Sequence, residues 1–266
     1  PISVINDLID ISEPNKDNKT IFIWPEGILP DVSQDELFEF KWLFEEAFSK
    51  NHLLFIGINN QKTNKEKINY FNSLSIYDHN LEILHFYNKI NLVPFGEFLP
   101  LENILKKLGL RVLTNNYQSF SRGNERKIIE IKRDDFSLKI LPLICYEIIY
   151  SGKIFRNPDF DLIVNISEDG WFGNSIGPKQ HFSHSIFRAV ESGKYLLRSA
   201  NNGIAAIVNP LGVVEQKVQY GKSGYIDFKT VKKIQPTLFS MYGNKIFITL
   251  ILLYIFMIFS FNRFKK

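Results

Sequence analysis

The sequence predicts an α/β fold that ends in one membrane helix. Three observations carry that expectation. Short runs rich in Ile, Val, Leu and Phe are separated by turn residues, as buried strands are. Among them lie stretches with helical spacing of apolar residues, at 35–50 and 178–194. Finally, residues 246–259 carry no charge at all. With 45% hydrophobic and 23% charged residues, the 266-residue chain can bury a sizeable core, which excludes global disorder.

The elements follow in order. Residues 4–11 are amphipathic and read as the end of a helix, with a polar loop after them. Residues 20–24 read as a buried strand. It must stop at Pro25, which has no N–H for a sheet ladder. Glu26 thus stands at a strand end; the alternative is a turn carboxylate in solvent. Residues 35–50 read as one helix whose aromatic stripe, including Trp42, packs inward. Strands at 53–58, 70–77 and 81–87 follow, with a polar hairpin or loop at 60–69. Residues 87–100 set Lys89 and Glu97 among large apolar residues, Gly96, Pro94 and Pro100. Such an apolar loop packs inside or covers a site. The alternative is a Lys89–Glu97 ion pair on the surface. A short helix at 101–110, a polar loop at 111–124 and strands at 127–131 and 136–144 lead to Cys145.

Cys145 is the single cysteine. One cysteine excludes an intramolecular disulfide and cysteine-rich zinc sites. It is either a small buried hydrophobe or a nucleophile at a strand end. A strand at 161–166 runs into a Gly-rich aromatic loop with Trp171. Pro178 then opens a helix through 194, as a proline in a first turn does. His181 and His184 lie three apart on it, but no third ligand stands at metal-site spacing, so no metal is expected. Strands at 196–200, 204–208 and 224–228 complete the domain. The net charge of +4 is scattered, and no nucleic-acid partner is implied.

Residues 246–261 are slightly short of the roughly 17–25 residues of a membrane span. Lys245, Arg263, Lys265 and Lys266 flank them and can snorkel to lengthen the helix. The basic end predicts a cytoplasmic C-terminus, so the preceding domain is expected outside the cytoplasm. A lone thiol in such an oxidising compartment points to chemistry.

A thiol nucleophile needs a base, and acyl transfer needs a cation or donors at the oxygen that becomes negative. Glu26 can be the base, Lys89 the oxyanion partner and Cys145 the nucleophile. Trp24-Pro25-Glu26, the Lys89 loop and Ile144-Cys145-Tyr146-Glu147 resemble the Glu-Lys-Cys triad of the nitrilase superfamily. Longer strings resemble one family within it, the apolipoprotein N-acyltransferases. They are Tyr87-Asn88-Lys89, Val93-Pro94-Phe95-Gly96-Glu97-Phe98, Asn165-Ile166-Ser167, Trp171-Phe172-Gly173, Gly177-Pro178 with Gln180-His181-Phe182, and Leu197-Arg198-Ser199 with Asn201-Asn202-Gly203.

That resemblance implies an αββα sandwich on the periplasmic face of the bacterial inner membrane. By position, Glu26, Lys89 and Cys145 match the triad, and Glu97 and Glu147 the supporting acids. Tyr146 and Trp171 match pocket positions, and Trp24 and Phe95 join them as candidate pocket walls. The implied partners are a phospholipid acyl donor, a diacylglyceryl-apolipoprotein acceptor and the bilayer, with a monomeric enzyme and no cofactor. The expected layout is a catalytic domain at 1–240, a transmembrane helix at 245–262 and a basic cytoplasmic tail at 263–266. The family carries several membrane helices and a first strand before this region. The chain, which starts at Pro1, is therefore expected to be the C-terminal part of a longer multi-pass protein. Two competing readings share part of the evidence: a membrane-tethered amidase or nitrilase acting on C–N bonds, and an inactive membrane-anchored binding module.

Overall fold

Two β-sheets face each other, because each has an apolar face too large to leave in water. The computed structural model describes residues 1–64, 67–101, 119–133, 136–152 and 159–263, with 104, 107 and 109. The first sheet has the order β1 (Thr20–Ile23), β2 (His52–Asn64), β3 (Lys67–Tyr77), β4 (Ile83–Asn88). β1 runs parallel to β2, and the other pairs are antiparallel. The second sheet contains β5 (Ile129–Arg133), β6 (Phe136–Ile144), β7 (Leu162–Glu168), β8 (Tyr195–Asn201), β9 (Ala205–Val208) and β10 (Val214–Val218). Its order is β10-β9-β8-β7-β6-β5, with β6, β7 and β8 parallel. Parallel strands are covered on both faces, which is why β6 and β7 read as nearly unbroken apolar runs.

Leu53, Phe55, Leu74 and Ile76 of the first sheet pack on Ile140, Ile144, Val164 and Ile166 of the second. The outer face of the first sheet is covered by α1 (Ile2–Ser12) and α2 (Lys41–Ala47), through Ile5, Leu43 and Phe44 on Leu54, Ile56 and Ile58. The outer face of the second is covered by α3 (Gly177–Ser192), through Phe182 and Ala189 on Leu141, Leu143 and Leu196. The expected α/β sandwich of four layers is present.

Several expectations need correction. Residues 35–50 do not form one helix: a short 3-10 turn, Glu36–Phe40, precedes α2. Leu37, Leu43, Phe44 and Phe48 are buried, while Phe38 and Trp42 are exposed. Too many consecutive positions are apolar there for a single stripe to bury them all. Of the two readings of 60–69, the hairpin holds: β2 and β3 run into it and pair as far as Asn64 and Lys67. Residues 224–228 form no strand; Ile226 and Phe228 pack on the core without a ladder, and β10 takes the sheet edge. Most of 101–118, with the expected helix at 101–110, lies outside the described residues, as do 264–266 of the basic tail.

After β10 the chain continues to α4 (Leu238–Tyr242) and α5 (Lys245–Arg263). Apolar side chains of α5 from Phe247 to Phe261 are exposed. Among the described residues, no helix is long and apolar enough to cross a membrane.

Candidate active site

Four strand ends meet at one edge of the sandwich. Glu26 follows β1, Lys89 follows β4, Cys145 follows β6, and Glu168 ends β7. Pro25 ends β1 and turns the chain so that Glu26 is buried at 6% exposure. Gly57 on β2 lies against this turn. A Cβ there would stand 2.5 Å from the Pro25 carbonyl oxygen, so only glycine lets the two backbones approach this closely.

Lys89 is 1% exposed. Its Nζ donates to Glu26 Oε1 at 3.1 Å and to Glu97 Oε1 at 2.9 Å. A buried ammonium needs such partners. Burial works against its charge, but Glu26 and Glu97 outweigh burial and hold the ammonium well above the usual lysine range. Asn72, in the middle of β3, donates to Glu26 Oε1 at 2.5 Å and to Glu97 Oε1 at 2.8 Å. The cluster is therefore two carboxylates, one cation and one amide. The surface ion pair is excluded by this burial.

Cys145 adopts a left-handed backbone conformation, with φ 46°. For a residue with a Cβ this is unfavourable and persists only where neighbours hold it. Its Sγ lies 3.9 Å from the Glu168 carbonyl oxygen, and the Glu168 N–H donates to Glu26 Oε2 at 2.8 Å. One residue thus touches both the thiol and the carboxylate. Burial first, then the Glu26 carboxylate, push the Cys145 thiol up to about 12, against the pull of Lys89. The resting thiol holds its proton, so it needs a base at the moment of attack.

Glu147 lies beneath the nucleophile with no solvent exposure. It accepts from Tyr87 Oη, the N–H groups of Ile90, Asn91 and Ile144, and Arg126 Nη2, at 2.8–3.1 Å. It ties β4, the Lys89 loop and the Cys145 turn together. Glu97 binds the Val93 N–H at 2.8 Å and so folds the apolar loop back on Lys89. That loop buries Leu92 and Leu99 and leaves Phe95 half exposed.

The candidate pocket residues divide. Tyr146 is half-buried and packs edge-on against Tyr150. Phe95 and Trp171 are exposed on the two loops that carry Glu97 and Asp169. Trp24 lies elsewhere: it is buried against Phe44 and Phe48 on the helix-covered side and donates to Ser12 Oγ. It is core. His181 is drawn to Asp169 and the Cys145 carbonyl oxygen. Among the described residues, no group of three or more His, Cys, Asp or Glu side chains could hold a metal ion.

Sequence reasoning gave no site role to Asn72, Arg126, Glu168, Asp169 or Arg198, although Arg198 stands in one of the strings that carry the resemblance. The one signal available was polarity within apolar strands: Asn72 and Arg198 interrupt runs that otherwise pack inward.

The profile of the carbon-nitrogen hydrolase family matches residues 11–231. This chain belongs to that family. It is 36% identical over 240 residues to the apolipoprotein N-acyltransferase of Rickettsia prowazekii (strain Madrid E), covering 89% of this chain and 47% of that protein. It is 40% identical over 204 residues to the one from Rickettsia bellii (strain RML369-C), covering 76% and 40%. The chain thus spans about half the length, or less, of the curated relatives it matches. Among solved structures, a cysteine mutant of the Nesterenkonia AN1 amidase from the nitrilase superfamily superposes with a TM-score of 0.52. It shares 15% identity and covers 82% of this chain and 81% of that one, a likeness of fold.

Proposed function

We propose that this chain carries the chemistry of an apolipoprotein N-acyltransferase. It would move an acyl chain from a phospholipid, through a Cys145 thioester, to the α-amino group of a lipoprotein's N-terminal diacylglyceryl-cysteine. One observation carries the reading: the strand ends bring a buried Glu26–Lys89 pair to the strained thiol-bearing turn of Cys145. The names of the relatives support the choice of substrates.

In the first half-reaction Glu26 takes the thiol proton as Sγ attacks the ester carbonyl. Lys89 Nζ faces the oxygen that becomes negative. The C–O bond breaks, and the lysophospholipid alkoxide leaves with the proton from Glu26. In the second, the acceptor amine attacks the thioester and Glu26 takes its proton. The C–S bond breaks, and the thiolate regains that proton. Lys89 keeps its ammonium throughout, because Glu26 and Glu97 raise its affinity for the proton. Glu97 and Glu147 position Lys89 and Cys145, and Tyr146, Phe95 and Trp171 border the acyl path.

The same reading sets the enzyme in the bacterial inner membrane as a monomer, with the catalytic domain at 1–240 on the periplasmic face. α5 is the bilayer anchor in this proposal. Its 19 residues measure about 28 Å at the usual rise, against about 30 Å of hydrocarbon. Its exposed apolar side chains favour lipid over water.

The test is intact-mass analysis of the protein in phospholipid vesicles, beside Cys145→Ser. A hydroxylamine-sensitive acyl adduct on Cys145, absent from the Ser variant, is expected. A folded, vesicle-bound protein that forms no adduct but hydrolyses small amides would overturn the transferase in favour of an amidase.

A further inference from the structure

The chemistry above leaves unused a second buried polar cluster, next to Cys145 on the α3 side. Asp169, Arg198, Asn165, Ser167 and His181 are each no more than 5% exposed. Arg198 Nη2 donates to both oxygens of Asp169, at 3.0 and 2.8 Å, and its Nη1 donates to Asn165. Ser167 Oγ donates to Asp169 Oδ1 at 2.8 Å. Burial raises the Asp169 carboxyl, but the hydrogen bond from His181 and the charge of Arg198 outweigh it and hold Asp169 below the usual range. Gly203 allows the approach, since a Cβ there would fall 2.2 Å from Asp169 Oδ2. This is a rigid, fully paired anchor.

Two members reach Cys145: the Ser167 side chain meets the thiol and works to lower its pKa, and His181 meets the backbone. His181 Nδ1 lies 2.8 Å from Asp169 Oδ1, and its Nε2 lies 3.2 Å from the carbonyl oxygen of Cys145. The Asp169 carboxylate and the Cys145 carbonyl both only accept, so the ring serves Cys145 only with hydrogen on Nε2, and serves both partners only with hydrogen on each nitrogen; where Nδ1 is bare, Arg198 Nη2 at 3.2 Å can donate to it. The left-handed Cys145 peptide needs a restraint on each side. On the amino side, Ile144 N–H is held by Glu147 at 3.0 Å. On the carboxyl side Cys145 opens a 3-10 turn, Cys145–Ile149, and His181 adds a side-chain contact to its carbonyl. The His181 ring is itself clamped by Asp169 and packed 5.4 Å from the Phe172 ring.

We propose that His181 is a positioning residue for Cys145: its Nε2–H holds the Cys145 carbonyl, which keeps the strained peptide turned and Sγ aimed toward Glu26 and Lys89. This rests on the reading of Cys145 as the nucleophile.

Alkylation of the chain's one cysteine by iodoacetamide reads the thiol with no acyl donor present. His181→Gln keeps an N–H near the place of Nε2, whereas His181→Asn is too short to reach the Cys145 carbonyl. The Asn variant should be alkylated, and form thioester at saturating phospholipid, about tenfold more slowly, the size of one lost hydrogen bond. KM for the phospholipid should not move. The Gln variant should recover to within about threefold of wild type by the same reasoning. Equal rates for wild type and Asn, or equal losses in Asn and Gln at matched melting temperature, would overturn the role. Should the variants not fold, long-range 1H–15N spectra of the wild-type ring decide: a His181 with hydrogen on Nδ1 alone overturns it. Alkylation that depends on His181 without any acyl adduct would keep this role and sink the transferase instead.

Discussion

Glu26 and Glu147 are both buried carboxylates within one site, but they are satisfied to different degrees. A carboxylate offers about four lone-pair positions. Glu147 accepts from five groups, three of them backbone N–H groups and one the Arg126 guanidinium. Glu26 accepts from three: Asn72 and Lys89 on Oε1, and the Glu168 N–H on Oε2. Glu26 Oε2 therefore keeps room for a proton, and Glu147 does not. The saturated acid holds the frame, and the unsaturated one can take part in proton transfer.

The largest expected effect tests this contrast directly. Glu147→Gln places two N–H hydrogens where donors already point and strands Arg126. Loss of one partner of a buried pair costs about 3–5 kcal/mol, so denaturant unfolding should show that loss. Glu26→Gln keeps one oxygen for Asn72 and Lys89 but turns an amide N–H toward the Glu168 N–H, and Lys89 keeps Glu97 as its carboxylate; it should cost about 1–3 kcal/mol, less than Glu147→Gln, while forming no acyl adduct. Equal destabilisation by the two variants would break the distinction.

A smaller effect concerns the cation between the unsaturated acids. Lys89 has a folded-state pKa raised above its unfolded value. Its contribution is thus full below about 10.4 and is lost only as pH rises through the folded value. Wild-type stability should show no Lys89-dependent change between pH 5 and 8. Lys89→Met leaves Glu26 and Glu97 facing one Asn72 amide without a cation, and such a pair retains a proton. The native state then binds more protons than the unfolded state, so the variant's stability should fall as pH rises from 5 to 8. Unfolding curves at the two values check the sign, and a flat profile would show that Asn72 alone can hold both charges.

How much of this was legible depended on where each residue stood. Glu26, Lys89 and Cys145 sit just past strands that Pro25, the irregular loop from 87 and the turn after Ile144 end, and strand ends can be read locally. Asn72 and Arg198 lie inside strands, and their roles exist only once β3 meets β4 and β8 meets β7. The apolar runs and helical spacing gave the α/β class, and the αββα layering came only with the family resemblance. The aromatic stripe at 35–50 misled because composition alone does not say which of its eight apolar side chains loses the competition for the core; Phe38 and Trp42 did. Trp24 was adjacent to the site in sequence, but a strand's successive side chains point to opposite faces, and it fell on the helix side.

The smallest effect extends the contrast to an exposed carboxylate. Glu36 Oε2 accepts the Ser33 N–H at 2.8 Å, and Glu36 N–H donates to Ser33 Oγ at 3.4 Å, a reciprocal pair at the start of the 3-10 turn. The Ser33 N–H bond lowers the Glu36 carboxyl below its ordinary value. A lowered folded-state pKa gives stability that is present above the unfolded value, about 4.3, and is lost as pH falls through the folded one. Glu36 is exposed, so water competes for both partners and screens its charge. Glu36→Gln should therefore cost no more than about 0.5 kcal/mol at pH 7, with the difference vanishing near pH 3. One donor on an exposed acid should matter far less than five on a buried one. A Glu36 effect as large as that of Glu147 would mean that donor count, rather than burial with it, sets the scale.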